Sequence, residues 1–564
     1  MASRALTLSP TSSAKVCVWR KLAPPTGVLA QRVRYSGNAT PASRQGFRKE
    51  RVAILGSGWA GYALARTLDP AKYERIVISP RSYFVFTPLL ASSAVGTLEF
   101  RAVIEPVRRS GSRLYQGWAD DIDFQNKTIR VEANATDDLS TRNTPLLPPA
   151  SKKGNSHDTG AGTDVAHPHP PRPTESVGGL APESHMLDVP YDKLVIAVGA
   201  YSQTFGIPGV KEHAHFLRDI RDARSIRLRV LSLFEQCSYP TREDTDGLYH
   251  TSTTTSLTDD DKRTLLHFAV VGGGPTGIEF AAELHDLINE DLSKIYPELL
   301  PLVSITVYDV APKVLPMFDQ ALAEYAMENF ARQGIAVKTE HHPQRIRIAD
   351  GRLGREHGAV KIKIKEYGDE EVGAGLVVWS TGLMQNPLVE KLVAKDIIMP
   401  DGEQVRLVKD SKTGGIVTDP CLRARLKVRA SSDEGSNGQE DTLSSCRVLP
   451  DVYVIGDCAI LEDNRTLPKT AQVASQQATQ LAKNLNKGGD ETLRPFKFRN
   501  LGTLTYLGGH KAIHQSKANE LRGWAAWVLW RTAYLTASMS WRNKIMVPIY
   551  WTISWIFGRD ISRF

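Results

Sequence analysis

Short apolar runs that end in glycine recur along this chain. Arg51–Leu55 (RVAIL), Lys193–Ala200 (KLVIAVGA), His267–Val271 (HFAVV), Leu376–Gly382 (LVVWSTG) and Val452–Ala459 (VYVIGDCA) are of this kind. Continuous apolar runs of this length predict strands covered on both faces, as in a parallel sheet. Two of them pass directly into helical spacing. Gly56-Ser57-Gly58-Trp59-Ala60-Gly61 leads into a helix at Tyr62–Leu68 and a strand at Arg75–Ser79. Gly272-Gly273-Gly274-Pro275-Thr276-Gly277 leads into a longer helix and a strand at Ser304–Asp309. Leu114–Val131 alternates around Asn126-Lys127 and predicts a hairpin, Val360–Ile364 a meander strand, and Gly206–Gly209 a turn. Tyr83–Leu90 (YFVFTPLL) reads as an apolar, aromatic loop. Three polar stretches, 134–187, 240–263 and 430–446, hold too little apolar content for a core. The first, rich in Pro, Gly, Ser, Thr and His, predicts a disordered insertion with solvated histidines.

Strand, glycine turn and helix form the context that the G-x-G-x-x-G dinucleotide fingerprint requires. Gly56 and Gly272 allow the tight turn, Gly58 and Gly274 the approach of a pyrophosphate, and Gly61 and Gly277 close packing of helix on strand. Pro275 opens the second helix, and each helix N-terminus offers donors and positive dipole to phosphates. The order is half a nucleotide domain, a whole one inserted, then the return of the first. The fold class is therefore α/β, with two Rossmann-like dinucleotide-binding domains at 50–235 plus 385–490 and at 262–384. Residues 491–564 form a separate C-terminal region.

Charge changes the picture at both ends. The net charge is +8; residues 1–35 hold six Lys/Arg and no acid, and residues 491–564 hold eleven against three. The basic, acid-free start resembles a mitochondrial transit peptide, 1–35, with Arg34-Tyr35-Ser36 as a processing site. The basic tail on a mildly acidic body points to lipid head groups rather than nucleic acid. Five cysteines, Cys17, Cys237, Cys421, Cys446 and Cys458, show neither C-x-x-C nor zinc-ligand spacing, so no metal site is expected.

Strand ends supply the candidate chemistry. The first unit lacks the usual ribose-binding acid and offers Ser79 and Arg81 instead. Asp309 ends the second strand of the other unit. It can accept both ribose hydroxyls of NADH while repelling the 2′-phosphate of NADPH, or it is an ordinary turn aspartate. Gly199-Ala200, Thr381-Gly382 and Gly456-Asp457 end the remaining strands, and Asp457 can hold the ribityl hydroxyls of a flavin. Glu279, in the first turn after Gly277, is either a proton relay near the nicotinamide or a dipole-favoured surface acid. Gln472 and Gln476 lie four apart on one helix face and either line a site at the flavin ring's far edge or simply cap and pack.

Together, GSGWAG at 56–61, SPRSYFVFTPLL at 79–90, GGGPTGIEFAAEL at 272–284, STG at 380–382, GDCA at 456–459, PKTAQVASQQA at 468–478 and LWRTAYL at 529–535 resemble type II NADH:ubiquinone oxidoreductases of fungal mitochondria. The resemblance implies a two-domain flavoprotein of glutathione-reductase-like plan, with FAD on the first fingerprint and NADH on the second. It places Thr87, Pro88 and Leu89 beside the flavin, and Ala471 and Gln472 between flavin and ubiquinone. It implies a homodimer as well. Ser475 and Gln477 stand where relatives often carry His and Glu, which withholds a direct role from both. No D-x-[DN]-x-[DN]-G calcium loop is present.

Trp524–Trp541 and Ile545–Phe557 are apolar, rich in Trp and Tyr, and bracketed by Arg and Lys. The first is interrupted by Arg531 and the second is short, so both predict amphipathic segments in a membrane interface rather than spanning helices. A buried dimer hairpin is the other reading. The expected activity is transfer of a hydride from NADH to FAD and two electrons to ubiquinone, without proton pumping, on the matrix side of the mitochondrial inner membrane. A disulfide or sulfide:quinone reductase would need paired cysteines beside the flavin, and 82–100 has none. An apoptosis-inducing-factor-like binding role would leave the aromatic, basic tail without a purpose.

Overall fold

The computed structural model describes residues 48–133, 186–239, 257–399, 402–428, 447–488, 493–516, 519–538 and 540–562. The expected transit peptide, nearly all of the 134–187 insertion, the first part of the 240–263 insertion and the 430–446 insertion lie outside them.

Val52–Leu55 and Ile76–Ile78 are almost without solvent contact. They sit in β1 (Glu50–Leu55) and β2 (Tyr73–Ser79), joined by α1 (Trp59–Thr67). β1 is the centre of a large sheet, parallel to β2 on one side and to Lys193–Ile196 on the other, and Arg447–Val454 extends the parallel run. Leu55 is in register with both Ile78 and Ile196, and Ile196 with Val454. The C-terminal ends of these strands therefore form one rim, where ligands bind in open α/β sheets. The antiparallel hairpin Arg113–Asp123 and Thr128–Ala133 extends the β2 side, with Lys127 in the left-handed conformation at its turn.

The second sheet is wholly parallel, in the order His215–Phe216, Leu376–Trp379, His267–Val271, Ser304–Tyr308, Ile335–Lys338. Its core unit is β3 (His267–Val271), α2 (Pro275–Leu287) and β4 (Ser304–Tyr308). β3 is buried along its whole length, which accounts for its unbroken apolar run. The two chain crossings between the sheets pair with each other, Ala200–Ser202 running antiparallel to Leu383–Gln385. Helix α3 (Ala471–Lys487) returns to pack on α1, with Thr470 capping its first turn through the Val473 amide. Beyond it, Thr503–Tyr506, Ala512–Gln515 and Glu520–Gly523 form an antiparallel sheet against α2, followed by α4 (Trp524–Ala537) and α5 (Trp541–Phe557).

Several elements differ from expectation for identifiable reasons. Tyr83–Leu90 is not a loop. Tyr83–Val85 pairs with Ile104–Pro106, and Pro88 sits in a tight helical turn at Thr87–Leu89. Part of the polar stretch 240–263 is helix, Asp259–Leu265, set by reciprocal bonds between Thr258 and Asp261. Met186–Pro190, at the edge of the expected disorder, is a strand against Thr128–Ala133. His215–Phe216 joins the second sheet well before the boundary expected at 235. Strand Lys193–Ile196 stops short because Gly199 turns left-handed.

Candidate dinucleotide sites and their link to the C-terminal region

At the first loop, glycine is required at both ends. Gly56 has φ +107°, and a methyl group on it would lie 2.3 Å from the Ala197 carbonyl oxygen. One on Gly61 would lie 2.0 Å from the Gly56 carbonyl oxygen. Over Gly58 nothing lies within 4 Å, so the backbone there is open to a ligand at the start of α1. Ser57 and Ser79 are buried and face each other, Oγ to Oγ 2.9 Å, and the Ser57 hydroxyl also reaches the Tyr83 carbonyl at 3.1 Å. Arg81 pairs with Asp219 at 2.7 Å, and the Tyr83 hydroxyl donates to the same carboxylate at 2.9 Å. Ser79 and Arg81, singled out for an adenosine, are thus already engaged within the fold. Trp59 Nε1 donates to Thr87 Oγ1 at 2.9 Å, while Pro88 is half-buried and Leu89 fully buried.

The far side of this rim holds Gly456-Asp457 and Gly199-Ala200. Gly456 is left-handed at φ +79°, and its amide donates to Gln477 Oε1 at 2.7 Å. Gln477 is buried, so the side chain to which sequence reasoning withheld a role is the clamp on the Gly-Asp turn. Its signal was its place one turn beyond Val473 on the face of α3 that packs inward. Burial raises the Asp457 carboxyl above its usual range, opposed by Arg218 and Lys469. Arg218 Nη1 is itself buried with no partner. An open glycine loop, an orphaned guanidinium donor and a carboxylate near it match the diphosphate and ribityl hydroxyls of FAD.

The second loop repeats the first with one added element. Gly272 has φ +116°, and a methyl group on it would lie 2.9 Å from Ser380 Oγ; one on Gly277 would lie 2.0 Å from the Gly272 carbonyl oxygen. Gly274 faces open space, and Pro275 begins α2. Asp309 accepts the Gly273 amide on one carboxylate oxygen and the Ala311 amide, at 2.7 Å, on the other. Such charge-assisted bonds contribute roughly 1.5–3 kcal/mol each and fix the carboxylate at the mouth of the loop. Thr381 and left-handed Gly382 follow Leu376–Trp379 at the same rim.

Glu279, Glu283 and Asp286 fall on one buried face of α2. Glu279 Oε1 accepts the Tyr506 amide at 3.1 Å and Trp530 Nε1 at 3.3 Å, and burial pushes its carboxyl up to about 8. It is not a surface acid. Glu283 accepts Ser92 Oγ at 2.5 Å and Thr97 Oγ1 at 3.0 Å; burial raises it and Arg559 opposes the rise. Asp286 accepts the Tyr506 hydroxyl at 2.6 Å and the Gly509 amide at 3.0 Å. The helix behind the second loop is therefore bonded to the C-terminal region by Glu279 and Asp286, and to Ser92 and Thr97 of the first domain by Glu283.

Gln472 and Gln476 brace the approach to that region. Gln472 donates to the Gly502 carbonyl at 2.7 Å and accepts the Leu501 amide at 3.2 Å. Gln476 holds both the carbonyl and the amide of Arg499, at 2.9 and 3.0 Å. Both ends of both amides are occupied by backbone. Ala471 is half-buried at the start of α3.

One face of α5 is apolar and open. Trp541, Ile545, Ile549, Ile553 and Phe557, spaced by four, are all exposed, Trp541 and Phe557 at 81%. No helix among the described residues is long and apolar enough to cross a membrane. Among them no cluster of His, Cys, Asp or Glu could hold a metal ion, and Cys237, Cys421 and Cys458 are free thiols.

Residues 50–478 match the family described as pyridine nucleotide-disulphide oxidoreductase, and residues 500–560 match the NDH2 C-terminal domain. The chain is 36% identical to the "Probable NADH dehydrogenase" of Dictyostelium discoideum, over 91% of each chain. It is 31% identical to the mitochondrial "External alternative NAD(P)H-ubiquinone oxidoreductase B3" of Arabidopsis thaliana, over 94% of this chain and 92% of that one. It is 33% identical to the mitochondrial "Internal alternative NAD(P)H-ubiquinone oxidoreductase A1" of Solanum tuberosum, over 92% and 88%. The fold is that of NDH2 from Plasmodium falciparum, solved in complex with NADH, with TM-score 0.68 and 23% identity over 91% of this chain and 100% of that one. The chain belongs to the pyridine nucleotide-disulphide oxidoreductases and, among them, to the type II NADH dehydrogenases.

Proposed function

We propose that this chain is a mitochondrial alternative NADH:ubiquinone oxidoreductase. The observation that carries the reading is the pair of open glycine loops, the second of which opens a helix whose acidic face ends in an aromatic, exposed C-terminal region. FAD, held by the 56–61 loop, Asp457 and Arg218, supplies the two-electron carrier between the two substrates. Asp309 accepts the ribose hydroxyls of NADH and disfavours NADPH by charge repulsion. The left-handed turns at Gly199, Gly382 and Gly456 bring backbone close to the bound nucleotides. Thr87–Leu89, braced by Trp59, walls the flavin side, and Ala471 stands where flavin and quinone sites meet. Glu279 keeps its proton at neutral pH and holds it at the boundary with the C-terminal region, where reduction of a quinone consumes protons. Most of the rate comes from positioning and from exclusion of water.

The open face of α5 lies in the interface of the inner mitochondrial membrane, which delivers ubiquinone, and a second copy of the chain pairs through the same region. The acid-free basic leader with no stop-transfer run after it favours the matrix side. The deciding measurement is NADH oxidation by the purified protein with and without a short-chain ubiquinone, in the presence of a complex I inhibitor. Quinone-dependent turnover is expected; turnover that ignores quinone, or none at all, would sink the proposal.

A further inference from the structure

A cleft of about 1060 Å³ opens between α4, α5 and the far end of α2. Arg531 projects into it from α4. Its guanidinium carbon lies 4.5 Å from the centre of the Trp527 ring and 4.4 Å from that of Trp551. Ring faces attract a cation but carry no lone pair for its N–H groups. Nε is buried with no hydrogen-bond partner, and no carboxylate lies within ion-pair distance of Arg531 among the described residues. Glu283 and Glu290 act on it only at longer range, Arg559 opposes them, and burial disfavours its charge.

A neighbouring guanidinium in the same cleft shows the contrast. Arg559 meets Glu290 and Asp291 at 2.7 Å each and Thr97 Oγ1 at 2.9 Å. It is satisfied within the fold, and Arg531 is not. A guanidinium fixed between two rings with unfilled donors is pre-organised for an oxyanion that can take two bonds at once. The rim of the cleft includes Trp524 and Trp555, exposed at 68% and 79%, next to the open face of α5. An amphiphile can therefore leave its tails beside α5 and set its head group inside.

We propose that this cleft is a phospholipid head-group site in which Arg531 receives the lipid phosphate. The inference rests on the membrane reading of α5 given above. A neutral quinone carbonyl would leave the charge of Arg531 uncompensated, whereas a phosphate diester neutralises it.

The test uses full-length, flavin-loaded protein, its Arg531→Gln and Arg531→Lys variants, and vesicles of phosphatidylcholine with or without phosphatidylglycerol. Retained flavin certifies that each variant is folded. Two quantities are read: co-sedimentation with vesicles, and quenching of tryptophan fluorescence by phospholipid brominated near its head group. The wild type is expected to bind phospholipid at the cleft, with quenching that persists after a detergent wash. Arg531→Gln should weaken that binding at least tenfold and Arg531→Lys by less, while both still sediment through the α5 face. Equal quenching in Arg531→Gln overturns the inference. So does displacement of the lipid by millimolar inorganic phosphate, which marks an ion site, or a raised KM for quinone with lipid binding unchanged, which marks a quinone site. A wild-type chain that does not sediment with vesicles overturns the membrane reading itself.

Discussion

The two glycine loops share their tightest contact, 2.0 Å from a methyl group placed on Gly61 or on Gly277 to a backbone carbonyl oxygen, yet the helices behind them differ in kind. Two, six and nine residues past Gly61 stand Ala63, Thr67 and Pro70; the same steps past Gly277 reach Glu279, Glu283 and Asp286. α1 packs on α3 through buried apolar side chains, with Tyr62, Ala63, Leu64 and Ala65 all inside. α2 buries three carboxylates and spends them on Tyr506, Trp530, Ser92, Thr97 and Gly509. Burying polar groups is unfavourable unless each is hydrogen-bonded, and here each is. The first site is built to retain a ligand within one domain. The second is coupled, bond by bond, to the C-terminal region, to which the proposed function assigns the quinone.

The largest expected effect separates retention from visiting. Gly61→Ala and Gly277→Ala each force a methyl group to 2.0 Å from a backbone carbonyl oxygen, so each loop must deform. Gly61→Ala should yield protein without the flavin absorbance and without activity. Gly277→Ala should keep the flavin absorbance while kcat/KM for NADH falls at least a hundredfold. If both variants lose flavin alike, the two loops do not differ in the way described.

The Asp309 carboxylate tests the second loop alone. Asp309→Asn keeps an acceptor for the Gly273 or Ala311 amide but removes the charge that opposes a 2′-phosphate. The ratio of kcat/KM for NADH over NADPH should fall by about tenfold, the equivalent of about 1.4 kcal/mol. An unchanged ratio would leave Asp309 a loop brace and nothing more.

Both loops, the strands before them and the discontinuous order of the two domains were legible in the sequence, because apolar runs and glycine spacing are local signals. What was not legible depends on partners far along the chain. Glu279 reads as a first-turn acid until Tyr506 and Trp530, more than 200 residues on, cover it. Gln477 reads as a departure from relatives until its carbonyl is seen on the Gly456 amide. Arg218 and Asp219 sit in no motif, and only the fold brings them to Asp457 and Arg81. Helical spacing places Gln472 and Gln476 on one face, but it cannot say that this face meets the backbone at 499–502.

The tail tests how firmly the second helix is tied. Arg559 is nearly buried against Glu290, Asp291 and Thr97, and Asp560 pairs with buried Arg227 at 2.9 Å, so the chain end spans both domains. Arg559→Gln removes one partner of a buried pair, a change that costs roughly 3–5 kcal/mol. Thermal unfolding should shift down by several degrees, with activity lost at lower temperature than in the wild type. No shift would mean that the carboxylates of α2 hold the C-terminal region without the tail.

The smallest effect is the most specific to the contrast between the helices. The Glu279 carboxyl is held up to about 8 by burial, against an ordinary value of 4.5. Between these values the unfolded chain is ionised there and the folded one still carries the proton, so folding takes up a proton. Stability must then fall as pH rises from 4.5 towards 8, by at most about 1.4 kcal/mol per pH unit, and level off above. Glu279→Gln keeps an oxygen acceptor for Tyr506 and Trp530 and removes the titration. Its stability relative to wild type should therefore climb with pH across that window and stay constant below it, because Glu283 titrates in both chains and cancels in the difference. Thermal unfolding at pH 5, 6, 7 and 8 reads this directly, as a difference growing by a degree or two per step. Curves that run parallel for the two proteins would show that Glu279 is not held protonated.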